Sequence, residues 1–283
     1  MPELPEVESV RRRIAPSLVR ARIAAVDVRR PDLRAPFPRH FVHRLTGQTV
    51  VALTRRGKYL LASLSSKETL LMHLGMSGSF RVVRDVPAAG SRSREATNTP
   101  HDHVVFHMSS GKAVVFNDPR RFGVMDLIPA DQLQTHQILG RLGLEPLSNE
   151  FDATALARAC RGKKTSLKAA LLDQRIVAGL GNIYASEALH VARLSPRRRA
   201  SILATPTGAP REAASRLVAA IKQVLEKALA KANARQSGAV DRDSRFLVYE
   251  RQNQRCLRKN CGGTIQRRVQ NGRSTFYCPV CQR

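Results

Sequence analysis

The residues best equipped for chemistry stand at the two ends of the chain. Near the end are four cysteines spaced Cys256-x4-Cys261-x16-Cys278-x2-Cys281. Two close pairs of thiolates separated in this way match a tetrahedral zinc site. Four cysteine ligands leave no open coordination position, so one structural Zn2+ is expected and not a catalytic one. Asn271-Gly272 lies between the strand-like runs 264–269 and 274–277, a two-residue turn signature that puts the pairs at the base of a hairpin. Arg273 stands at the turn, where a side chain reaches furthest, although a solvated turn arginine is the ordinary assignment. Disulfides or idle thiols are the lesser alternative for the pairs, and the fifth cysteine, Cys160, lies on an apolar helix face and reads as core.

The chain starts MPELPE. Inside a chain the nitrogen of Pro2 is a tertiary amide and attacks nothing. Freed from Met1 it becomes a secondary amine with a pKa of roughly 7.7–8.0, partly neutral at pH 7. Such an amine can form an iminium ion, covalent catalysis of the lysine Schiff-base kind. Glu3 and Glu6 are carboxyl groups close by that could move protons. Each has a plainer role: proline is common at a helix start, and first-turn acids complement the helix dipole. On these six residues alone the plainer roles are the better reading.

Charge narrows the partner. The 283 residues carry 48 Lys+Arg against 22 Asp+Glu, a net charge of +26 and a pI near 11.3. An excess of this size points to a polyanion, nucleic acid ahead of an anionic membrane. A basic amphipathic helix with an aromatic face is missing, which lowers the membrane option, and neither a run of about 18 apolar residues nor a signal segment is found. From Arg251 to Arg283 there are seven Arg and one Lys but no acid, net +8, so the cysteine hairpin is suited to phosphate contact.

The elements that must position these residues follow from periodicity. Leu4, Val7, Val10, Ile14 and Leu18 form a helical stripe expected to end near Pro16. To about residue 128 the pattern is mostly β. One strand covers 23–28, runs 49–54 and 58–64 flank a turn at Arg55-Arg56-Gly57, runs 69–74 and 78–83 are expected to pair, and 104–108 with 113–116 flank Ser-Ser-Gly as a hairpin. This suggests an antiparallel sandwich or barrel with a helix attached. Segments 85–101 and 233–245 read as loops. After about residue 130 the chain turns helical: 154–161, 164–173, a Gly-containing turn, 182–191 with Asn182 placed to cap it, and a long amphipathic helix over 212–232. The expected division is 1–130, a linker 131–150, a helical domain 151–245 and a cysteine hairpin 246–283, an α+β multidomain chain.

With these parts in place the whole chain resembles the bacterial formamidopyrimidine-DNA glycosylases. The matching motifs run in order: MPELPEVE, RRGKYL, HLGMSGS, HDHV, DPRRFG, LGLEPL, GLGNIYASEAL and the cysteine hairpin. Leu4 separates it from the sister endonuclease VIII type, which resembles MPEGPE there. The resemblance implies an N-terminal β-sandwich with flanking helices, a helix–two-turn–helix domain and a four-cysteine zinc finger, with DNA in the cleft between the domains. It implies a bifunctional base-excision enzyme that removes oxidised purines (8-oxoguanine, formamidopyrimidines) from duplex DNA through a proline iminium, then cleaves the strand by β,δ-elimination. Pro2 corresponds to the nucleophile, Glu3 to the acid at the deoxyribose, Glu6 to a second carboxylate, and Lys58 to the lysine beside the lesion phosphate. Met76, Arg120 and Phe122 correspond to the residues that fill the gap left by the extruded base. Asn182 and Arg273 correspond to phosphate contacts, and His101 and Lys164 complete the DNA-contacting set.

Most of these residues also have ordinary readings. Lys58 at a strand start is by default solvated, and Met76 is by default core, although the glycine-flanked turn GMSG is a poor place to bury it. An enzyme acting on a base in a duplex must take it out of the stack, and an apolar wedge at the vacancy lowers the cost. Arg120-Arg121-Phe122 makes a plausible DNA-facing loop on its own. His73, His101 and His103 are assigned no metal. The segment 233–245 departs from the Gly/Thr-rich run typical of the family's lesion-facing loop, which bears on base choice. The competing readings are a catalytically idle damaged-DNA-binding paralogue, which intact Pro2, Glu3 and Lys58 argue against, and an RNA-binding zinc-ribbon protein, which leaves the N-terminus unexplained. The partner expected is damaged double-stranded DNA, the chain a monomer, and the place the bacterial cytoplasm, in association with the nucleoid.

Overall fold

The stripe of Leu4, Val7, Val10, Ile14 and Leu18 is the buried face of α1 (Leu4–Leu18). The helix runs two residues past Pro16, where an end was expected. A proline in the last turn removes a single N–H, and the Val19 N–H closes the helix on the Ala15 carbonyl at 2.9 Å. In this computed structural model, residues 2–84, 99–236 and 246–283 are described, excepting the side chains of 235 and 236. Met1, most of the expected 85–101 loop and the expected loop beyond Gln236 lie outside the described residues. The chain divides into two units, Met1–Gly140 and Arg141–Arg283.

The first unit continues with β1 (Ile23–Val28), α2 (Phe41–Leu45), β2 (Val50–Arg56), β3 (Tyr59–Leu64), β4 (Glu68–His73), β5 (Ser79–Arg84), β6 (Asp102–Met108), β7 (Lys112–Asn117) and β8 (Val124–Pro129). They form two four-stranded antiparallel sheets, ordered β1-β6-β7-β5 and β2-β3-β4-β8. Inward residues of both sheets and the apolar face of α1 share one core that includes Leu60, Met72, Phe80, Phe106 and Phe116. The architecture is a β-sandwich. The hairpin of β6 and β7 is formed as the sequence suggested, but β4 and β5 do not pair with each other: β4 lies between β3 and β8, and β5 pairs with β7. Segment 74–78 therefore crosses from one sheet to the other.

In the second unit come α3 (Ala153–Cys160), α4 (Leu167–Leu172), α5 (Asn182–Val191), α6 (Glu212–Gln236) and the two-stranded hairpin of β9 (Gln266–Gln270) and β10 (Arg273–Tyr277). Asp152 and Ser166 cap α3 and α4 through their side chains. The long helix runs to Gln236, four residues beyond the expected end, because AKANARQ supplies good helix formers and no breaker.

Glu8 fastens α1 to the sheet beneath it. Its carboxylate takes Arg11 and Arg12 at 2.8 Å each and Arg55 of β2 at 3.5 Å. Burial would raise its pKa, but hydrogen bonds from the two α1 arginines outweigh that and hold it at about 2. A carboxyl held below its ordinary 4.5 stabilises the fold fully above pH 4.5 and loses that contribution as the pH falls toward 2. Glu8→Gln should therefore cost about 1–3 kcal/mol at pH 7 and flatten the fall of the thermal midpoint between pH 4.5 and 2. Calorimetry across that range checks both; a variant as stable and as acid-sensitive as wild type would refute the assignment.

Candidate functional site

The α1 start separates Pro2 from the helix. Glu3 is the N-cap, and it exchanges hydrogen bonds with Glu6: its side chain takes the Glu6 N–H while Glu6 Oε2 accepts the Glu3 N–H at 2.9 Å. Pro5, inside the first turn, is the helix-starting proline. The plainer role suggested for Pro2 thus belongs to Pro5, and Pro2 stands half-buried outside the helix. Glu3 is buried, 2% exposed.

Lys58 is not a solvated strand residue. It is the second residue of the two-residue turn Gly57-Lys58 that joins Arg56 to Tyr59, so the strand starts at Tyr59, one position later than the sequence suggested, with Gly57 at φ +56°. It is only 6% exposed. Tyr59 pairs with His73 across β3 and β4, with their rings 4.7 Å apart. Burial, then Lys58 and Arg34, bring the His73 pKa down to about 4 against the pull of Asp118. The ring is neutral at pH 7. Its Nδ1 accepts the Gly75 N–H at 3.1 Å, so the imidazole proton sits on Nε2.

Met76, Arg120 and Phe122 come from two loops that one residue clamps together. Asp118 is completely buried. Its Oδ1 takes the Ser77 hydroxyl at 2.5 Å and its Oδ2 the Gly123 N–H at 2.8 Å, while Ser77 Oγ accepts the Arg120 N–H at 3.1 Å. Gly75, at φ +61°, lies so close to the Phe122 main chain that an added Cβ would stand 2.3 Å from its carbonyl carbon. Met76 and Phe122 are each 41% exposed, and the Arg120 guanidinium lies 4.8 Å from the Phe122 ring centroid. His103 donates to the Asp118 carbonyl at 2.8 Å, a structural role, and the exposed His101, at φ +70°, accepts the Asp118 N–H through its carbonyl at 3.0 Å. Asp118 was not among the residues singled out from the sequence. Its one local signal is an acid beside proline, ahead of paired arginines.

In the second unit, α5 carries the hairpin. Gly181, not Asn182, is the N-cap of α5. The Asn182 side chain turns instead to β10, where its Nδ2 donates to the Ser274 carbonyl at 3.0 Å. Lys168, 1% exposed, donates to the same carbonyl at 2.8 Å and to Thr275 Oγ1 at 2.9 Å. The exposed Arg273 directly precedes this doubly held residue. Asn271 and Gly272 have φ of +49° and +71°, as a type I′ turn requires. Glu187 accepts the N–H groups of Leu247, Val248 and Tyr249 at 2.7, 2.8 and 2.9 Å, fixing the start of the chain into the hairpin. Lys164 lies in the exposed segment before α4, and it is Lys168, which the sequence reading passed over, that meets the hairpin.

The four cysteines converge. Their Sγ atoms all lie within 4.8 Å of one another, with Cys256 and Cys281 at 3.9 Å and Cys261 and Cys278 at 3.5 Å. Zn–S bonds of about 2.3 Å in a tetrahedron set sulfurs about 3.8 Å apart, so the set fits one structural Zn2+. Val248, Ile265, Phe276 and Cys278 make the small core beside it. Zinc bound there holds the pairs together and leaves no position for a substrate.

Comparison with known proteins matches three family models along the chain. The formamidopyrimidine-DNA glycosylase N-terminal domain covers residues 1–125, the formamidopyrimidine-DNA glycosylase H2TH domain 142–238, and a zinc finger found in FPG and IleRS 253–283. A formamidopyrimidine-DNA glycosylase from Rhodopseudomonas palustris (strain BisA53) is 54% identical over 298 residues, covering all of both chains. Among solved structures, the Lactococcus lactis formamidopyrimidine-DNA glycosylase bound non-covalently to DNA containing an AP site has a TM-score of 0.82 at 30% identity, covering 99% of each chain. The MutM (Fpg) protein of Thermus thermophilus has a TM-score of 0.80 at 36% identity, covering 99% of this chain and 98% of that one.

If Asp118 is what clamps the two loops, Asp118→Ala should cost about 2–3 kcal/mol in urea unfolding, since it strands buried donors. It should also open 74–78 and 118–123 to limited proteolysis, whereas Arg121→Ala should leave both unchanged. Protected loops in Asp118→Ala would contradict the clamp.

Proposed function

The chain belongs to the formamidopyrimidine-DNA glycosylase family, and from that premise we propose how its own residues perform the reaction. The protein is a base-excision-repair enzyme, a DNA glycosylase with AP-lyase activity that acts on oxidised purines in double-stranded DNA. In our reading Pro2, released from Met1, is the nucleophile. Its secondary amine attacks C1′ of the damaged nucleotide. The C1′–base bond breaks and the base departs with a proton, while the sugar ring opens to leave an iminium between Pro2 and C1′. That electron sink acidifies C2′. Loss of a C2′ proton expels the 3′ phosphate, and a second elimination expels the 5′ phosphate.

The observation that carries this reading is the separation of roles at the N-terminus. Pro5 starts the helix and Glu3 with Glu6 caps it, which leaves Pro2 outside the helix with no part in forming it. Glu3, buried next to Pro2, is placed to give or take the proton as the sugar opens, and Glu6 holds the Glu3 main chain. Lys58 serves as a point charge for the lesion phosphate from a turn whose geometry Gly57 sets. Met76, Arg120 and Phe122 fill the space vacated by the extruded nucleotide; the exposure of Met76 and Phe122 despite their apolar and aromatic character supports this use. Asn182 and Arg273 are phosphate contacts, and His101 and Lys164 belong to the DNA-contacting set. No helix among the described residues is long and apolar enough to cross a membrane. From the likeness to bacterial DNA-repair glycosylases we infer work in the bacterial cytoplasm, at the nucleoid.

Incubation with lesion-bearing duplex and borohydride should yield a covalent protein–DNA adduct from protein whose Met1 is shown by mass spectrometry to be removed. The same protein with an uncleaved residue ahead of Pro2 should give none. Equal trapping by both forms would rule out Pro2, and no trapping by either would favour an idle damage-binding protein. Binding should also weaken steeply with salt, by about 10³-fold or more between 50 and 200 mM if six or more phosphates are held; a flat response would defeat the phosphate contacts.

A further inference from the structure

The last turn of α5 meets the cysteine site. His190, 2% exposed, places Nε2 at 3.3 Å from Cys256 Sγ. Its Nδ1 is buried and has no partner among the described residues. A neutral imidazole carries one N–H. Were that proton on Nδ1, a buried donor would go unused and a ring lone pair would face a metal-bound thiolate. With the proton on Nε2, the N–H meets the sulfur in a charge-assisted hydrogen bond. When Cys256 is a zinc thiolate, His190 is therefore the donor.

Arg258 joins the same shell from inside the Cys256-x4-Cys261 loop. Its Nη2 donates to the carbonyls of His190 and Val191 at 2.6 and 3.4 Å, which ties the loop to the end of α5. Four thiolates around a divalent ion carry a formal charge of −2, in a hairpin otherwise dedicated to attracting phosphate. Donors on the sulfurs disperse that charge and fix the ligand directions.

We propose that His190 and Arg258 are positioning residues of the zinc centre, an outer hydrogen-bond shell that ties the metal site to the end of α5 and sets how firmly zinc is kept. The proposal rests on the four cysteines holding structural zinc. The test uses the full-length, zinc-loaded protein, with metal content measured first and zinc transfer to the chromophoric chelator 4-(2-pyridylazo)resorcinol then followed at pH 7.5. His190→Phe keeps the bulk and removes the N–H, and should release zinc roughly 10–100-fold faster. His190→Gln, which restores a donor, should recover part of the loss, and Arg258→Leu should accelerate release independently. Wild-type release rates in His190→Phe and Arg258→Leu would overturn the proposal while leaving the zinc reading intact. Zinc-free wild-type protein would overturn both. If His190→Phe does not accumulate folded, Arg258→Leu, in the loop between Cys256 and Cys261, decides the outcome alone.

Discussion

A buried carboxylate fed by main-chain N–H groups is the interaction on which the site depends. It recurs at each place where the chain must present a loop or an end. Glu3 and Glu6 satisfy each other's main chain at the α1 start. Asp118 takes a Gly123 N–H and a Ser77 hydroxyl to bind two loops, and Glu187 takes three consecutive N–H groups ahead of the hairpin. In a chain of net charge +26, acids are scarce, and Glu3, Asp118 and Glu187 are placed inside, where each N–H is worth more than in water. Most of the cations are thereby left for the surface, the buried Lys58 and Lys168 excepted.

The physical split between what was readable and what was not is one of range. Helical stripes and the Asn-Gly turn are local statements, so α1, α5 and the β9–β10 hairpin could be read from the chain, as could the cysteine set, whose spacing encodes its geometry. The pairing expected of β4 with β5 failed because adjacency along the chain was taken for adjacency in a sheet, whereas segment 74–78 crosses the sandwich. Asn182 was read as a cap from its position alone, but a partner 92 residues away claims its side chain.

The same reason hid the supporting residues. Lys168 reaches Thr275 across 107 positions, Glu187 reaches Val248 across 61, and Asp118 reaches Ser77 across 41. Nothing near Lys168 in sequence distinguishes a buried tether from a solvated lysine on an amphipathic helix. The residues proposed to touch DNA were legible through motif; those that hold them were legible only once the chain was folded.

The mount of the hairpin carries an evolutionary consequence. Lys168, Asn182 and Glu187 grip it chiefly by its main chain, through the Ser274 carbonyl and the N–H groups of residues 247–249. Those gripped atoms are the same whatever side chain they bear. Residues that the helices hold only by their main chain, such as Ser274, can therefore drift without loosening the hairpin, whereas the three gripping side chains cannot change without losing hold. Variation among relatives should be tolerated at Ser274 and at Leu247, which the helices hold by the main chain alone, and resisted at Lys168, Asn182 and Glu187.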